Sequence, residues 1–217
     1  MSDWVTWQLA DSAFPAGGFA HSSGLEAAWQ AGEVGDADSL RQFALDSIVQ
    51  AAHAALPLVN AAYADPDRIE ALDALCDAFL SNAVANRASR AQGRAWLAAC
   101  ASAWPCAALR ALEERPQLAC HLAPMFGAAT RAIGCPHQIA QKLCLQLAVR
   151  GVFAAAVRLG IVGPYAAQRL QAGCAGDLDR ALERCAELTE QDVAQTAPRI
   201  DLRQATHDRL YSRLFQS

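Results

Sequence analysis

The residues with the clearest capacity for chemistry are two cysteine–histidine groups in the second half of the chain. Cys120 is followed directly by His121, and Cys135 is followed by Pro136 and His137. Thiolate and imidazole groups together can bind a transition metal, but these spacings do not match the Cys-x2–4-Cys and His-x3–5-His pattern of structural zinc sites. Packed cysteines with capping or surface histidines explain the same residues, so both interpretations stay open.

Three arginines in the middle of the chain form a second group. Arg87, Arg90 and Arg94 share one face of a helix predicted over 83–103, because residues three or four apart are neighbours on a helix. Their guanidinium groups are suited to holding a carboxylate or phosphate of a partner, and a solvated helix face also explains them. No group in the sequence combines a nucleophile, a base and a residue that orients the base, so we do not expect an enzyme.

The most unusual stretch is DSAFPAGGFAHSSGLE, residues 11–26, which contains three glycines, three serines and two phenylalanines. Glycine allows another backbone to approach closely, so this stretch is either a tight internal crossing or a contact surface. The alternative is a loop before the first long helix, with Ser22 or Ser23 as the N-cap. The stretch lacks the Lys-Ser/Thr pair of a phosphate-binding loop and the G-x-S-x-G order of a nucleophile elbow.

Composition excludes several classes of protein. With 217 residues, 53% hydrophobic and 18% charged, the chain has enough apolar residues for one folded domain. The net charge is −4, and no run of five basic residues occurs, which argues against nucleic acid as a partner. The N-terminal MSDWVTWQLA does not resemble a signal peptide. Eight cysteines on mostly apolar predicted helix faces are typical of reduced thiols, so we expect a cytoplasmic protein.

The same composition predicts an all-α fold, since alanine, the strongest helix former, supplies fifty residues. Hydrophobic periodicity predicts a single-domain bundle of about eight to ten helices. Asp36 or Asp38 is the expected N-cap of one of them, and Asp177 is the expected N-cap of another. Pro124 and Pro136 are the expected starts of two others.

Two residues inside predicted helices indicate special packing. Pro57 should kink or break its helix, because proline lacks the backbone N–H of the helical hydrogen bond. Gly93 is about 1 kcal/mol less favourable in a helix than alanine, which indicates that a neighbouring element approaches closely there.

The segment from about 137 to 159 is the predicted central helix. Residues 143–159, LCLQLAVRGVFAAAVRL, are apolar on nearly every side, which is typical of a helix buried by neighbours or by lipid. Gln146, Arg150 and Arg158 argue against lipid, because an arginine in the middle of a membrane span costs roughly 2.5 kcal/mol or more. We therefore expect the core helix of a bundle and no membrane partner.

The C-terminal segment, residues 197–217, differs in character from the bundle. Its sequence, APRIDLRQATHDRLYSRLFQS, combines arginines with a set of large apolar residues. Such a segment resembles a peptide that docks in a groove of this protein or of another. A C-terminal helix packed on its own bundle is the alternative, and both stay open.

Four segments, taken in order, resemble the urease accessory protein UreF family. The first is LADSAFPAGGFAHSSGLEAA (9–28), the Gly-Gly-Phe…Ser…Gly-Leu-Glu signature, and the second is SRAQGRAWL (89–97). The third runs from HLAPMFGAATRAIG through AAAVRLGIVGPYAAQRL (121–170), and the fourth is THDRLYSRLFQS (206–217). Together they span the whole chain.

The resemblance implies an all-α homodimer without enzymatic turnover or a firmly bound cofactor. Such a protein binds the accessory protein UreD, called UreH in some systems, and the GTPase UreG. The complex places nickel in apo-urease as GTP is hydrolysed. One domain, 1–217, would then contain a signature segment (1–35), a helical core (36–190) and a partner-binding tail (197–217).

The resemblance also assigns residues to roles. Arg158 would lie on the GTPase side, and Lys142 and Gln146 on the dimer face. The signature and the tail would form the main partner surface, whose candidate residues are Gly17, Gly18, His21, Ser22, Glu26, His207, Arg209, Tyr211, Arg213, Leu214 and Phe215.

Two hypotheses follow, with a third behind them. The first is an assembly scaffold that holds its partners in register, so that nickel transfer becomes effectively intramolecular. The second is a nickel carrier that uses Cys135 and His137, with Cys120 and His121 as further ligands, because Cys-Pro-His is similar to the nickel-binding tripeptide of the GTPase partner. The third is a helical hydrolase.

Overall fold

Helices supply all the regular secondary structure of the computed structural model, which describes residues 3–217. The all-α prediction is confirmed. Two of the twelve helical segments, α3 and α4, join through one π-helical turn, so the described chain has eleven helices. This number is slightly higher than predicted, because several short segments also form complete turns. The helical segments are α1 (Asp3–Ala10), α2 (Leu25–Gln30), α3 (Ala37–Gln50), α4 (Leu56–Ala64), α5 (Ile69–Phe79), α6 (Ala83–Ala103), α7 (Ala107–Glu113), α8 (Leu122–Ala132), α9 (His137–Arg158), α10 (Pro164–Gly173), α11 (Ala175–Cys185) and α12 (Pro198–Thr206).

Helix α9 connects the two halves of the core. One apolar cluster surrounds Trp96 of α6, which stacks on Phe126 of α8 with ring centroids 4.5 Å apart. The other surrounds Phe153 of α9 and includes residues of α2, α3 and α11. Helix α9 is long and apolar enough to cross a membrane, but half of its most apolar window is buried inside the protein. The helix is therefore the core helix of the bundle, as predicted.

One polar side chain of α9 ties the first helix to it. Arg150 donates a hydrogen bond to the carbonyl oxygen of Ala10, the last residue of α1. The carbonyl end of a helix carries partial negative charge and favours a cation. Arg150 is thus a packing contact within the bundle.

The predicted disturbance at Pro57 takes the form of a π-helical turn over 51–55, and the helix continues beyond it. Pro57 has no N–H to donate to the carbonyl of His53, four residues earlier. That carbonyl accepts a hydrogen bond from the amide of Ala194 instead, at 3.1 Å. A wider turn and an outside donor therefore accommodate the proline without breaking the helix.

The helix starts agree with the sequence in part. Asp36 caps α3 in a capping box with Ser39, as predicted. The prediction that Ser22 or Ser23 caps α2 is wrong, since the cap is Gly24, with φ of 90°. A left-handed glycine allows the chain to turn sharply into the helix, and Ser22 is used elsewhere.

Two other predicted starts need correction. Cys174 precedes α11, and Asp177 lies inside the helix, where its carboxylate pairs with Arg180 and, at 3.7 Å, with Arg41. Helix α8 begins at Leu122, two residues before Pro124, because proline is tolerated throughout the first helical turn. Pro136 precedes α9 directly, as expected.

The close approach predicted at Gly93 is present where α6 meets the segment before α8. A Cβ atom on Gly93 would lie 2.0 Å from the carbonyl oxygen of Cys120. Cys120 itself has a positive φ of 63°. Asp73 holds this turn by accepting hydrogen bonds from the amides of Cys120 and His121, at 3.1 and 2.7 Å.

We expect Gly93→Ala to lower the free energy of unfolding by about 1–3 kcal/mol, because the added methyl group overlaps backbone atoms that cannot move aside. Urea denaturation measures the change. Gly151→Ala in α9 is the matched control, since its Cβ meets no atom within 4 Å and alanine should be neutral or up to about 1 kcal/mol stabilising. Equal stabilities of Gly93→Ala and the wild type would contradict the crossing.

Candidate partner-binding face

The signature and the C-terminal tail, far apart in sequence, lie against each other. The amide of Ser22 donates to the carbonyl oxygen of Ser217 at 2.5 Å, and the amide of Gln216 donates to the carbonyl of Ala20 at 2.8 Å. We call the surface formed by residues 17–26 and 207–217 the composite face. The fold thus brings together the two segments that the resemblance assigned to partners.

Glu26 lies beneath the composite face and is 2% exposed. Its Oε1 accepts a hydrogen bond from the amide of Leu214 at 2.6 Å, and its Oε2 accepts one from the amide of Phe215 at 3.1 Å. Nε2 of His207 lies 3.0 Å from the same Oε2 and donates to it. The Nδ1 atom of His207 is buried and has no hydrogen-bond partner among residues 3–217, which assigns the ring proton to Nε2, where the acceptor lies. One carboxylate therefore binds three groups of the tail.

A second buried contact joins the last residue of the tail to the signature. Nδ1 of His21 lies 2.7 Å from Oγ of Ser217, and Oγ of Ser22 donates to the carbonyl oxygen of Ser217 at 3.0 Å. Burial is the main cause that lowers the pKa of His21, and the neighbouring His207 and Arg87 lower it further. His21 is therefore neutral where it meets the tail.

Arg158, at the end of α9, lies between one aromatic ring from each end of the chain. Its guanidinium carbon is 3.8 Å from the ring centroid of Phe19 and 4.2 Å from that of Phe215. The same group donates a hydrogen bond to the carbonyl of Phe19. Cation–π contacts of this kind are worth roughly 0.5–2 kcal/mol each, so Arg158 links the core helix to both segments.

The arginine group of α6 meets the tail through its first member. Arg87 and Arg213 each lie 3.0 Å from the carboxylate of Asp208. All three side chains are roughly half exposed, so each pair contributes about 1 kcal/mol at most. Arg94 donates to the carbonyl of Ala119. The carboxylate that this group binds thus comes from the same chain.

The candidate residues divide by exposure. Those that face inward are His21, Ser22, Glu26, His207 and Phe215. Those that face solvent are Gly17, Gly18, Arg209, Tyr211, Arg213 and Leu214. The inward set orders the face, and the outward set is available to another molecule.

The structure adds two exposed aromatic residues that sequence reasoning did not select. The ring of Phe19 is 73% exposed, although Arg158 covers one side of it. Trp29 is 39% exposed and, with Leu159 and Leu214, lines a shallow groove of about 320 Å³ beside the tail. Phe19 lies inside the quoted signature, so its large side chain among glycines was the available signal.

The predicted dimer residues lie on α9, outside the composite face. Lys142 is exposed and Gln146, one turn further along, is half-buried. The dimer role of these two residues stays a prediction.

The residues of the nickel-carrier hypothesis belong to two different hydrogen-bond networks. Nε2 of His137 lies 3.0 Å from Oδ1 of Asn60, and its ring stacks on Tyr63 with centroids 4.5 Å apart. Cys135 is buried, which raises the pKa of its thiol. Within residues 3–217 no three His, Cys, Asp or Glu side chains converge in a way that could hold a metal ion.

The other histidine has the partners of a hydrolase triad but is itself fully buried. Nδ1 of His121 lies 3.1 Å from Oγ of Ser89, and Nε2 lies 3.0 Å from the Asp77 carboxylate. His121 has no exposed surface, and the Ser89 hydroxyl already accepts the amide proton of Leu122 at 3.1 Å. Hydrogen bonds from Asn86 and His121 lower the pKa of Asp77. The group therefore fixes the start of α8 and offers no nucleophile to a substrate.

Acid should loosen the tail through His21. A histidine whose pKa is lowered on folding takes up protons more readily in the released state, so its contribution is complete above its ordinary pKa of 6.5 and is lost as the pH falls below that value. We expect the protection of the amides of residues 210–217 against hydrogen exchange, measured relative to the rate of an unstructured peptide at each pH, to fall as the pH is lowered from 7.5 to 5.5. His21→Asn, which keeps an uncharged polar atom near the position of Nδ1, should reduce this dependence. An identical pH profile for both proteins would contradict the assignment.

Comparison with known proteins gives the family of the chain. The sequence model of the UreF family matches residues 34–175. Urease accessory protein F of Oryza sativa subsp. indica is 35% identical, over 98% of this chain and 84% of the relative. The Arabidopsis thaliana protein of the same name is 36% identical, over 99% and 92%, and urease accessory protein UreF of a Bradyrhizobium species is 30% identical, over 98% and 90%. The match to the family model and the identity to these relatives show that the chain belongs to the UreF family of urease accessory proteins.

Proposed function

We propose that this chain is an assembly scaffold of urease maturation. It binds UreD (UreH) and the GTPase UreG, joins them to apo-urease and supports GTP-dependent insertion of nickel. The relatives are named as urease accessory proteins, which supports the pathway. The observation that carries the scaffold role is the composite face, where buried residues order a surface of exposed aromatic, aliphatic and arginine side chains.

The exposed part of the composite face has the composition of a protein-binding surface. Tyr211 is fully exposed, Phe19 is 73% exposed and Leu214 is 53% exposed. Arg209 and Arg213 stand beside them. Tyrosine and arginine are enriched among residues that dominate binding energy, and exposed apolar side chains grouped in one place mark interaction sites. We assign this surface to UreD.

An ordered tail favours binding, because a segment that is already folded loses less conformational entropy when a partner arrives. A scaffold adds a second gain, since two proteins bound to one body meet at a high effective concentration. A homodimer formed through the Lys142 and Gln146 face of α9 would bring two such bodies together. This proposal places the whole assembly in the cytoplasm and leaves nickel with the complex rather than with this chain.

Arg158 is the residue we assign to the GTPase side. It contacts Phe19 of the signature and Phe215 of the tail, and it is the last residue of the core helix. A partner that displaces Phe19 would act directly on the guanidinium group. Arg158 is thus placed to relate the state of the composite face to α9, which is a physical basis for gating the GTPase.

Replacing the two exposed anchors tests the scaffold proposal. We expect Tyr211→Ser with Leu214→Ser to leave the circular dichroism spectrum unchanged and to weaken UreD binding at least about tenfold, because each lost anchor typically costs more than 1 kcal/mol. Isothermal titration with purified cognate UreD gives the affinity. The control is Val49→Ser with Tyr165→Ser, which removes exposed side chains on α3 and α10. Equal affinities for the two double variants would refute the assignment.

The Arg158 role is tested separately. Arg158→Ala should fold and should lower urease activation in cells that supply nickel and the other accessory proteins, because both aromatic rings lose their cation. Urease activity per unit of apo-urease is the measurement, and Arg184→Ala on the exposed side of α11 is the control. Unchanged activation with Arg158→Ala would rule out this role.

A further inference from the structure

We infer that Glu26 is a positioning residue: it sets the register of the tail and acts on partner binding without contacting the partner. The inference rests on the proposed function for the meaning of the composite face. Its structural half, that Glu26 holds the tail, stands on contacts described above.

Glu26 depends on the tail for its hydrogen bonds. The hydrogen bonds to this carboxylate come from the amides of Leu214 and Phe215 and from Nε2 of His207. A buried carboxylate is unfavourable unless hydrogen bonds or an opposite charge compensate it. Because these three donors lie in residues 207–217, release of the tail would remove all three hydrogen bonds at once and leave only water to replace them. Glu26 thus favours the docked tail strongly.

Glu26 is positioned by the packing of α2 on α12. Gly24 precedes α2 in the left-handed conformation, and a Cβ there would lie 3.0 Å from the carbonyl oxygen of Ile200 and 3.1 Å from the amide of Gln204. The first turn of α2 therefore lies directly on α12. His207 follows α12 in a short 3-10 turn, which brings its ring to Glu26. The glycine of the signature is required for this contact.

The register of the tail shows in its burial pattern. Beyond Leu210 the tail runs without a helix, and from Leu214 to Ser217 exposed and buried residues alternate. Leu214 is 53% exposed and Phe215 is 5% exposed. Glu26 binds the amides of these two residues, so it decides which of the two side chains faces inward. A shift by one residue would exchange them, bury Leu214 and take Phe215 away from Arg158.

The buried and the exposed residues of the composite face therefore have different roles. Tyr211, Arg213 and Leu214 present their side chains outward only while Glu26 holds the backbone at 214 and 215. The resemblance placed Glu26 and His207 among partner contacts, and the structure shows both buried. We therefore assign them to positioning.

The test measures the tail and the partner separately. Glu26→Gln keeps the size of the side chain but replaces one accepting oxygen with a donor that faces an amide N–H. We expect hydrogen exchange of residues 210–217, followed by mass spectrometry on the full chain, to accelerate at least about tenfold, and the affinity for purified cognate UreD to fall by a similar factor. Glu33→Gln is the matched control, because Glu33 accepts its hydrogen bonds from Arg203 of α12 and not from the amides of residues 214 and 215 that Glu26 binds. It should change neither quantity.

A second pair of variants covers the case in which Glu26→Gln does not fold. The amide nitrogen of glutamine reaches the position of Nε2 in histidine, so His207→Gln should keep both the exchange protection and the affinity. His207→Leu fills similar volume without a donor and should lose both. This rescue by a donor separates positioning from simple core packing, for which leucine would suffice.

Two results would overturn the inference. One is full exchange protection of residues 210–217 in Glu26→Gln. The other is a freed tail with unchanged UreD affinity. Neither decides the scaffold proposal, which fails independently if the Tyr211 and Leu214 variant binds UreD as tightly as its control.

Discussion

A buried carboxylate needs hydrogen-bond donors, and the packing of the two chain ends against each other supplies them. Glu26 lies on α2, and its donors lie 181 to 189 residues later. The requirement explains why the left-handed Gly24 is used, since α2 must lie on α12 for the carboxylate to meet His207. It also explains why a tail with exposed Tyr211 is ordered at all. Hydrophobic burial of Phe215 supplies attraction, and the hydrogen bonds of Glu26 supply direction, which apolar contact alone lacks.

The charges of the composite face differ from those of the chain as a whole. The net charge is −4, yet four arginines surround this face: Arg87, Arg158, Arg209 and Arg213. The carboxylate of Glu26 lies beneath the face and binds the tail. Asp208 offsets part of this charge through its pairs with Arg87 and Arg213. An approaching protein therefore meets cations and apolar side chains together, an arrangement that speeds encounter with an acidic surface and fixes orientation more than it adds affinity.

Local features of the fold were predictable, and contacts between distant segments were not. The bounds of α6, the cap at Asp36 and the close approach at Gly93 follow from periodicity, capping and the scarcity of glycine in helices, all of which act within a few residues. The resemblance pointed to both ends of the chain as a functional surface. Nothing in either segment indicated that they touch each other, because a hydrogen bond such as that between Glu26 and Leu214 leaves no periodic pattern in the sequence. The π-helical turn before Pro57 also depended on a distant donor, Ala194.

The cysteines and histidines also belong to the buried part of the structure rather than to its binding surface. Burial raises the pKa of Cys76, Cys100 and Cys144 to about 12, and the thiolate, not the thiol, is the form that binds a metal. His121 and His137 already use their ring nitrogens on Ser89, Asp77 and Asn60. Recruiting His121 or His137 for nickel would require breaking the hydrogen bonds that these residues make at the starts of α8 and α9. The exposed side chains of the composite face are suited to proteins rather than to ions, and our proposal therefore assigns the metal to the partners and the geometry to this chain.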